Sequence, residues 1–238
     1  MQFAGLPVQV EALLEPASHR CELAWLDDAL SGRPRAVLWH GRQGLVAPLS
    51  YRRHARLDAA CATFASQGWP VELRRSGGGI VPQGPGILNV SLAQPIDGPP
   101  GGLAEHVYAH LCGVLARALA TLGIDAQPRP LDGSFCDGRF NLAVGARKIA
   151  GTAQYWRRGG GRQAVLAHAL LLVDADPAEL AGRANAFETA LGGEPRYRAD
   201  TLTSVARECG ARGGGDLPLR VRQLLAAELA REPLVAAT

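Results

Sequence analysis

Residues 136–154, read as Cys-Asp-Gly-Arg-Phe-Asn-Leu-Ala-Val-Gly-Ala-Arg-Lys-Ile-Ala-Gly-Thr-Ala-Gln, constrain the fold more than any other stretch. Phe140 to Val144 and Arg147 to Gln154 are strand-like and are separated by Gly145-Ala146, which predicts a hairpin. Gln163 to Val173 is a third, longer strand, beyond a glycine turn at 159–161 that Arg157, Arg158 and Arg162 flank as a solvated basic tip. The hairpin also holds the only lysine among 25 basic side chains, Lys148. Lysine is a compact point charge on a flexible stem, whereas arginine is a planar fork. A site that aims one positive charge at one oxygen, such as a reacting carbonyl or a phosphate, calls for the former. The alternative is a surface lysine left by an arginine-rich composition.

A second feature lies upstream. Val71-Glu72-Leu73 reads as a strand and runs into residues 74–86, a connector with three successive glycines, Gly77 to Gly79. Ile87 to Ala93 is then another strand. Glycines let backbone N–H groups approach a ligand, and successive N–H groups form an anion-binding nest. Arg74 and Arg75 add charge at its mouth. The pattern is neither a dinucleotide fingerprint nor a P-loop; the plainer alternative is a flexible surface loop. The glycine clusters at 159–161 and 213–215 are read as loops of that kind.

Helices are predicted over 18–30 with Ser18 as cap, over 54–67, and from Leu103 to Leu122 after a loop at 94–102. Residues 124–135 read as irregular. Asp176-Pro177 starts a further helix, since aspartate caps and proline suits the first position. Thr201 to Cys209 and a segment capped by Asp216 complete the set. Ala36 to Trp39 and Leu45 to Ala47 are short strands. Strands and helices mix without strict alternation, so the fold class is α+β, a mixed sheet flanked by helices. Length alone allows one large domain or two small ones.

The net charge of +3 gives no case for nucleic acid or an anionic membrane, and no apolar run reaches the length of a membrane span. The N-terminus lacks the pattern of a signal peptide. The five cysteines are scattered with no metal-ligand spacing, which fits reduced thiols in a cytoplasmic protein. Two histidines four apart, His106 and His110, are a candidate metal pair, but no H-E-x-x-H pattern accompanies them, so they read as solvated or structural. His168 shares an apolar strand face with Leu166, Leu170 and Leu172, as a hydrogen-bonded core residue or as a catalyst. Cys136 is a nucleophile if a cation such as Lys148 lowers its pKa, and an unreactive thiol otherwise.

These residues carry a resemblance. Leu73 to Val81, with Gly86 and Leu88-Asn89, resembles the R-R-x-S-G-G-G-x-V loop of the lipoate–protein ligase and octanoyltransferase family. Asn141 to Val144 followed by Arg147 to Gln154 is similar to that family's lysine strand, and Ala167 to Asp176 to the strand and turn after it. The resemblance implies the fold shared with biotin ligases and class II aminoacyl-tRNA synthetase cores, a largely antiparallel sheet flanked by helices. It also implies a single catalytic domain over 1–238, with a C-terminal helix at 216–231 and no separate accessory domain. It implies transfer of lipoate or octanoate to a lysine of a lipoyl domain, in 2-oxoacid dehydrogenases or a glycine cleavage H-type protein. In the ligase version, the first reading of the sequence with the transferase as its alternative, ATP and Mg²⁺ give an acyl-adenylate stabilised by Lys148. Arg74, Ser76, Gly77, Gly78, Gly79, Gln83, Asn89, Asn141, Gly151, Thr152, Ala153 and His168 would bind substrate or adenylate, and Asp137, with Asn141, would place the metal. In the transferase version acyl carrier protein donates an octanoyl group through a Cys136 thioester, without ATP. The sequence departs from the family at Leu73, where the first arginine sits, and at Gln83, where many members have histidine. A non-enzymatic lipoyl-domain or acyl-binding module is a further reading, which the lone lysine and intact glycine loop oppose. A biotin ligase is weaker, because its G-R-G-R-x-G-R-type loop is absent.

Overall fold

The computed structural model describes residues 9–13, 15–135 and 138–231. Cys136 and Asp137 lie outside the described residues. In chain order the elements are β1 (Gln9–Ala12), α1 (Cys21–Leu30), β2 (Arg35–Trp39), β3 (Gly44–Pro48), α2 (Leu57–Ser66), β4 (Val71–Arg74), β5 (Val81–Gln83), β6 (Ile87–Pro95) and α3 (Pro100–Ala120). Then come β7 (Gln127–Pro128), β8 (Leu142–Val144), β9 (Arg147–Gly159), β10 (Arg162–Leu172), α4 (Pro177–Ala190), α5 (Val205–Cys209) and α6 (Leu217–Arg231).

A seven-stranded sheet has the order β1-β2-β6-β10-β9-β8-β7, antiparallel except for the β1–β2 pair. A second sheet of three strands, β4-β3-β5, pairs parallel and then antiparallel. The mixed, largely antiparallel architecture expected from the sequence is therefore present, divided between two sheets.

Alternation in β6 and β10 decides which side chains meet which layer. Leu88, Val90 and Leu92, with Val165, Ala167, Ala169 and Leu171, face α3 and α6 in one core. The opposite face is covered in two parts. Trp25, Leu26 and Ala29 of α1 pack on Val37, Trp39 and Leu166. The small sheet, with α2 and α4, packs on Ile87 and Leu172. Between these parts, Asn89, Ser91, His168 and Leu170 occupy the same face, and the candidate site forms there.

Three boundaries differ from expectation for local reasons. The first helix begins at Cys21, not Ser18, because the Ser18 hydroxyl accepts from the Arg20 N–H and donates to Glu72, closing a turn ahead of the helix. The third starts at Pro100, inside the expected loop, since proline at the first helical position needs no donor. The expected helix at 201–209 is cut to Val205–Cys209: Leu202 bridges to Lys148, the Thr203 N–H donates to the Lys148 carbonyl, and Ser204 caps the short helix that remains. Among the described residues no helix is long and apolar enough to cross a membrane.

Candidate functional site

A slot lies on the sheet face between β9, β10 and the glycine connector. Its floor is Gly151 and Ala153 of β9 beside Leu170 and His168 of β10, residues directly opposite in register. Val81, Phe135, Leu172 and Leu202 add apolar wall.

Lys148 enters the slot through a β-bulge. Leu142 pairs with Ala150 but Ala143 pairs with Lys148, leaving Ile149 as an extra residue. Ile149 and Ala150 consequently both lie in the core beneath α3, while Lys148 is turned to the other face with Gly151. Plain alternation would have pointed Lys148 the wrong way. Its side chain is 4% exposed, and Nζ donates to the Phe135 carbonyl. A Cβ built on Gly151 would stand 2.9 Å from Nζ, so a side chain there would displace the ammonium from this placement. Phe135 is followed in the chain by Cys136 and Asp137, which fall outside the described residues.

The glycine connector is wired by its own arginine. The Arg74 guanidinium is buried and donates to the carbonyls of Val46 (2.8 Å), Gly77 (3.0 Å) and Gly79 (2.7 Å). Of the connector, Arg74, Gly77, Val81 and Gln83 line the slot. Gly78, at φ +100°, and Gly79 face a separate cleft with Arg53, His54, Ser134 and Arg196. Tyr51 and Tyr197 there donate to one oxygen of Glu188 at 2.5 and 3.0 Å. Burial and that carboxylate push the Tyr51 hydroxyl up to about 12, so it remains a donor.

Ser76 points behind the slot. Its hydroxyl is 2.9 Å from His168 Nε2, and His168 Nδ1 is 2.7 Å from Glu22 Oε1. Glu22 also accepts from Ser91 at 2.8 Å, and Ser91 from the Trp39 indole at 2.9 Å. Burial opposes ionisation of Glu22, but the coupling and hydrogen bond to His168 outweigh it and hold the carboxyl below its usual range. An ionised carboxylate only accepts, so Nδ1 carries the proton in this pair. His168 is thus both a hydrogen-bonded core residue and a wall of the slot.

Gln83 and Asn89 form a reciprocal amide pair, 2.9 Å each way, at the slot wall. A Cβ at Gly41 would come within 2.4 Å of Gln83 Oε1, so that glycine makes space for the pair. Asn141 donates to the Gly138 carbonyl and Thr152 to the Phe140 carbonyl, both at 2.7 Å, fastening the segment just after Asp137. Asn141 lines a further cleft with Tyr108 and Phe140, whose rings stack. No group of three His, Cys, Asp or Glu suited to a metal ion occurs among the described residues. Sequence reasoning missed Glu22, Ser91 and His19. Glu22 had a readable signal, a carboxylate on the helix face that carries Trp25, Leu26 and Ala29.

The sequence model of the lipoyl protein ligase A/B catalytic domain matches residues 36–211, well over half of the chain and all of the lysine hairpin and glycine connector. The chain belongs to that family. Within it, the chain is 54% identical over 196 residues to an uncharacterised protein of Cupriavidus necator, covering 77% of this chain and 78% of that one. It is 40% identical over 165 residues to an octanoyl-[GcvH]:protein N-octanoyltransferase of Kyrpidia tusciae, covering 67% of this chain but 55% of that one. The match therefore spans little more than half the length of that transferase. Among solved structures, lipoate-protein ligase A bound with ATP superposes with a TM-score of 0.70 at 19% identity, covering 95% of this chain and 85% of the other. A protein of T. acidophilum solved with bound lipoic acid gives 0.68 at 19%, covering 95% and 86%. These likenesses establish the fold of the lipoate ligases for this member of the family.

Proposed function

We propose that this chain is an acyltransferase that moves an octanoyl or lipoyl group from a protein-bound donor to a lysine amine of a lipoyl-domain protein. The observation that carries this is the slot itself: a mainly apolar trough with one buried ammonium at one end. Apolar walls favour an alkyl chain by roughly 25 cal/mol per Å² removed from water. The ammonium of Lys148 favours the negative charge that develops on an attacked carbonyl. The Arg74 guanidinium is directed to three backbone carbonyls, which ties the glycine connector to β3 beside the slot. Relatives at 40% and 32% identity bear names of octanoyl transfer from GcvH to protein, which supports a protein-bound donor over a free acid.

In this reading Cys136, next in the chain after the carbonyl that Lys148 contacts, attacks the acyl carbonyl as a thiolate. The bond to the donor breaks, the donor leaves with a proton, and a thioester forms. The target lysine amine then attacks the thioester, the amide forms, and the thiol is released. Lys148 serves both steps by stabilising the oxyanion, and its charge favours the thiolate.

One observation favours a ligase reading. The cleft beyond Gly78 and Gly79 carries Arg53, His54 and Arg196, groups suited to the phosphates of a nucleotide. Intact mass of a purified lipoyl domain separates the two. One arm supplies octanoylated GcvH-type protein, a second octanoyl-acyl carrier protein, both without ATP; a third supplies octanoic or lipoic acid with ATP and Mg²⁺. Acylation from a protein-bound donor, abolished by Lys148→Ala and by Cys136→Ser, is expected. Acylation only in the third arm, surviving Cys136→Ser, would establish a ligase instead.

A further inference from the structure

His19 is used by none of the steps above, yet it stands in the wall of the slot. It precedes α1 and is held from three sides. Its backbone N–H donates to Glu72 at 3.2 Å, Ser18 beside it donates to the same carboxylate oxygen at 2.8 Å, and its ring meets the edge of Trp39 with centroids 4.8 Å apart. The residue is 9% exposed. Neither ring nitrogen bonds to any described residue, and neither is sealed from the cavity. Burial pushes the imidazole down to about 4, so at neutral pH it is an uncharged ring with one donor and one acceptor unused.

Its place along the slot is set by register. The Lys148 ammonium lies over Gly151, while Ala153, two residues further along β9, is opposite His168. The His19 ring is 6.4 Å from the His168 ring. Trp39, which the His19 ring meets, is in line with Asn89, Leu170 and Gly151 across β2, β6, β10 and β9, so at about 4.8 Å per strand His19 stands on the order of a dozen ångström from the ammonium, across the sheet. His19 also lines a neighbouring cleft with Leu23 and Leu57, so with Arg74 it stands between that cleft and the slot.

We infer that His19 is a specificity-determining residue which reads the distal end of the acyl group, and that this site prefers a chain ending in a hydrogen-bonding heteroatom, the dithiolane sulfurs of a lipoyl group, over the plain alkyl end of an octanoyl group. The inference rests on the acyltransferase reading and narrows its substrate. A methyl terminus packed on this imidazole would leave both nitrogens dry and unpaired, which is unfavourable. A leucine would close the slot against an alkyl chain without that penalty. A dithiolane sulfur is polarisable and accepts a weak hydrogen bond from the ring N–H.

The test compares kcat/KM for transfer from one GcvH-type carrier loaded with either lipoyl or octanoyl, in the unmodified protein, in His19→Leu and in His19→Gln. The unmodified protein should favour the lipoyl carrier roughly tenfold, the scale of one modest hydrogen bond. His19→Leu should bring the ratio to one or below, and His19→Gln, which retains a donor, should restore part of it. A preference for octanoyl in the unmodified protein, or a ratio that His19→Leu leaves unchanged, overturns the inference alone. Absence of transfer from both loaded carriers overturns the acyltransferase reading and this inference with it.

Discussion

The two ends of the slot are built on opposite plans. At the Lys148 end the parts are close in sequence: a hairpin, its bulge, and the segment running into Cys136 supply the ammonium and its carbonyl partner within a few tens of residues. At the His19 end the parts come from Glu22, Ser76, Ser91 and His168, as many as 146 positions apart, joined through their hydrogen bonds. The first end is a charge introduced by a local backbone irregularity. The second is a buried hydrogen-bond array that exists only once α1, β6, β10 and the glycine connector have assembled. The first should therefore fail in activity with the fold intact, and the second in stability and selectivity together.

The sharpest break is expected at the first end. Lys148→Ala should lower the rate of acyl transfer by about a thousandfold, the upper range for loss of one oxyanion-stabilising group, while circular dichroism and Tm stay near those of the unmodified protein. A large loss of Tm would show that the ammonium is structural. At the second end, Glu22→Ala strands His168 and Ser91, and breaking a buried pair of this kind costs about 4 kcal/mol. Urea titration should show that loss, and an unchanged midpoint would mean the array is dispensable.

Acidification should separate the ends as well. His19 ionises near pH 4 in the folded chain against 6.5 unfolded. Between those values the unfolded chain binds the proton and the folded chain does not, so stability falls as pH drops from 6.5 towards 4, by up to about 3 kcal/mol. Glu22, held below its usual range, adds to the loss at lower pH. His19→Leu should flatten the slope over the upper window in denaturant titrations at stepped pH; an identical slope would show that His19 is not the group responsible. The smallest effect returns to the first end: Gly151→Ala places a methyl 2.9 Å from Nζ. It should cut transfer by about tenfold, in the range of a misplaced catalytic group, with little change in Tm. Full activity would mean that the ammonium has other room.

The same contrast separates what the sequence made legible from what it hid. The lone lysine, the glycine connector between two strands and the helix stripes are local patterns, and each fell close to its expected place. The bulge was not visible, because Ile149-Ala150 reads as ordinary alternation until Leu142 and Ala143 choose partners in different registers. Glu22, a carboxylate on an apolar helix stripe, signalled a buried partner without naming it, and Ser91, a serine in an apolar strand, announced nothing until the residues opposite it were known. The division into two sheets was equally hidden, since β3, β4 and β5 look no different in sequence from strands of the larger sheet.

The solitary lysine also bears on self-modification. Its ammonium is the only side-chain amine the protein has, and it lies 4% exposed beneath the connector. Under the proposed acyl transfer to lysine, the sequence would thus offer the acyl group no surface lysine of its own. Every other basic side chain among the 25 is a guanidinium, which stays protonated and is a poor nucleophile. On that proposal the arginine-rich surface amounts to chemical immunity, leaving a stray acyl group to find its lysine acceptor on another molecule.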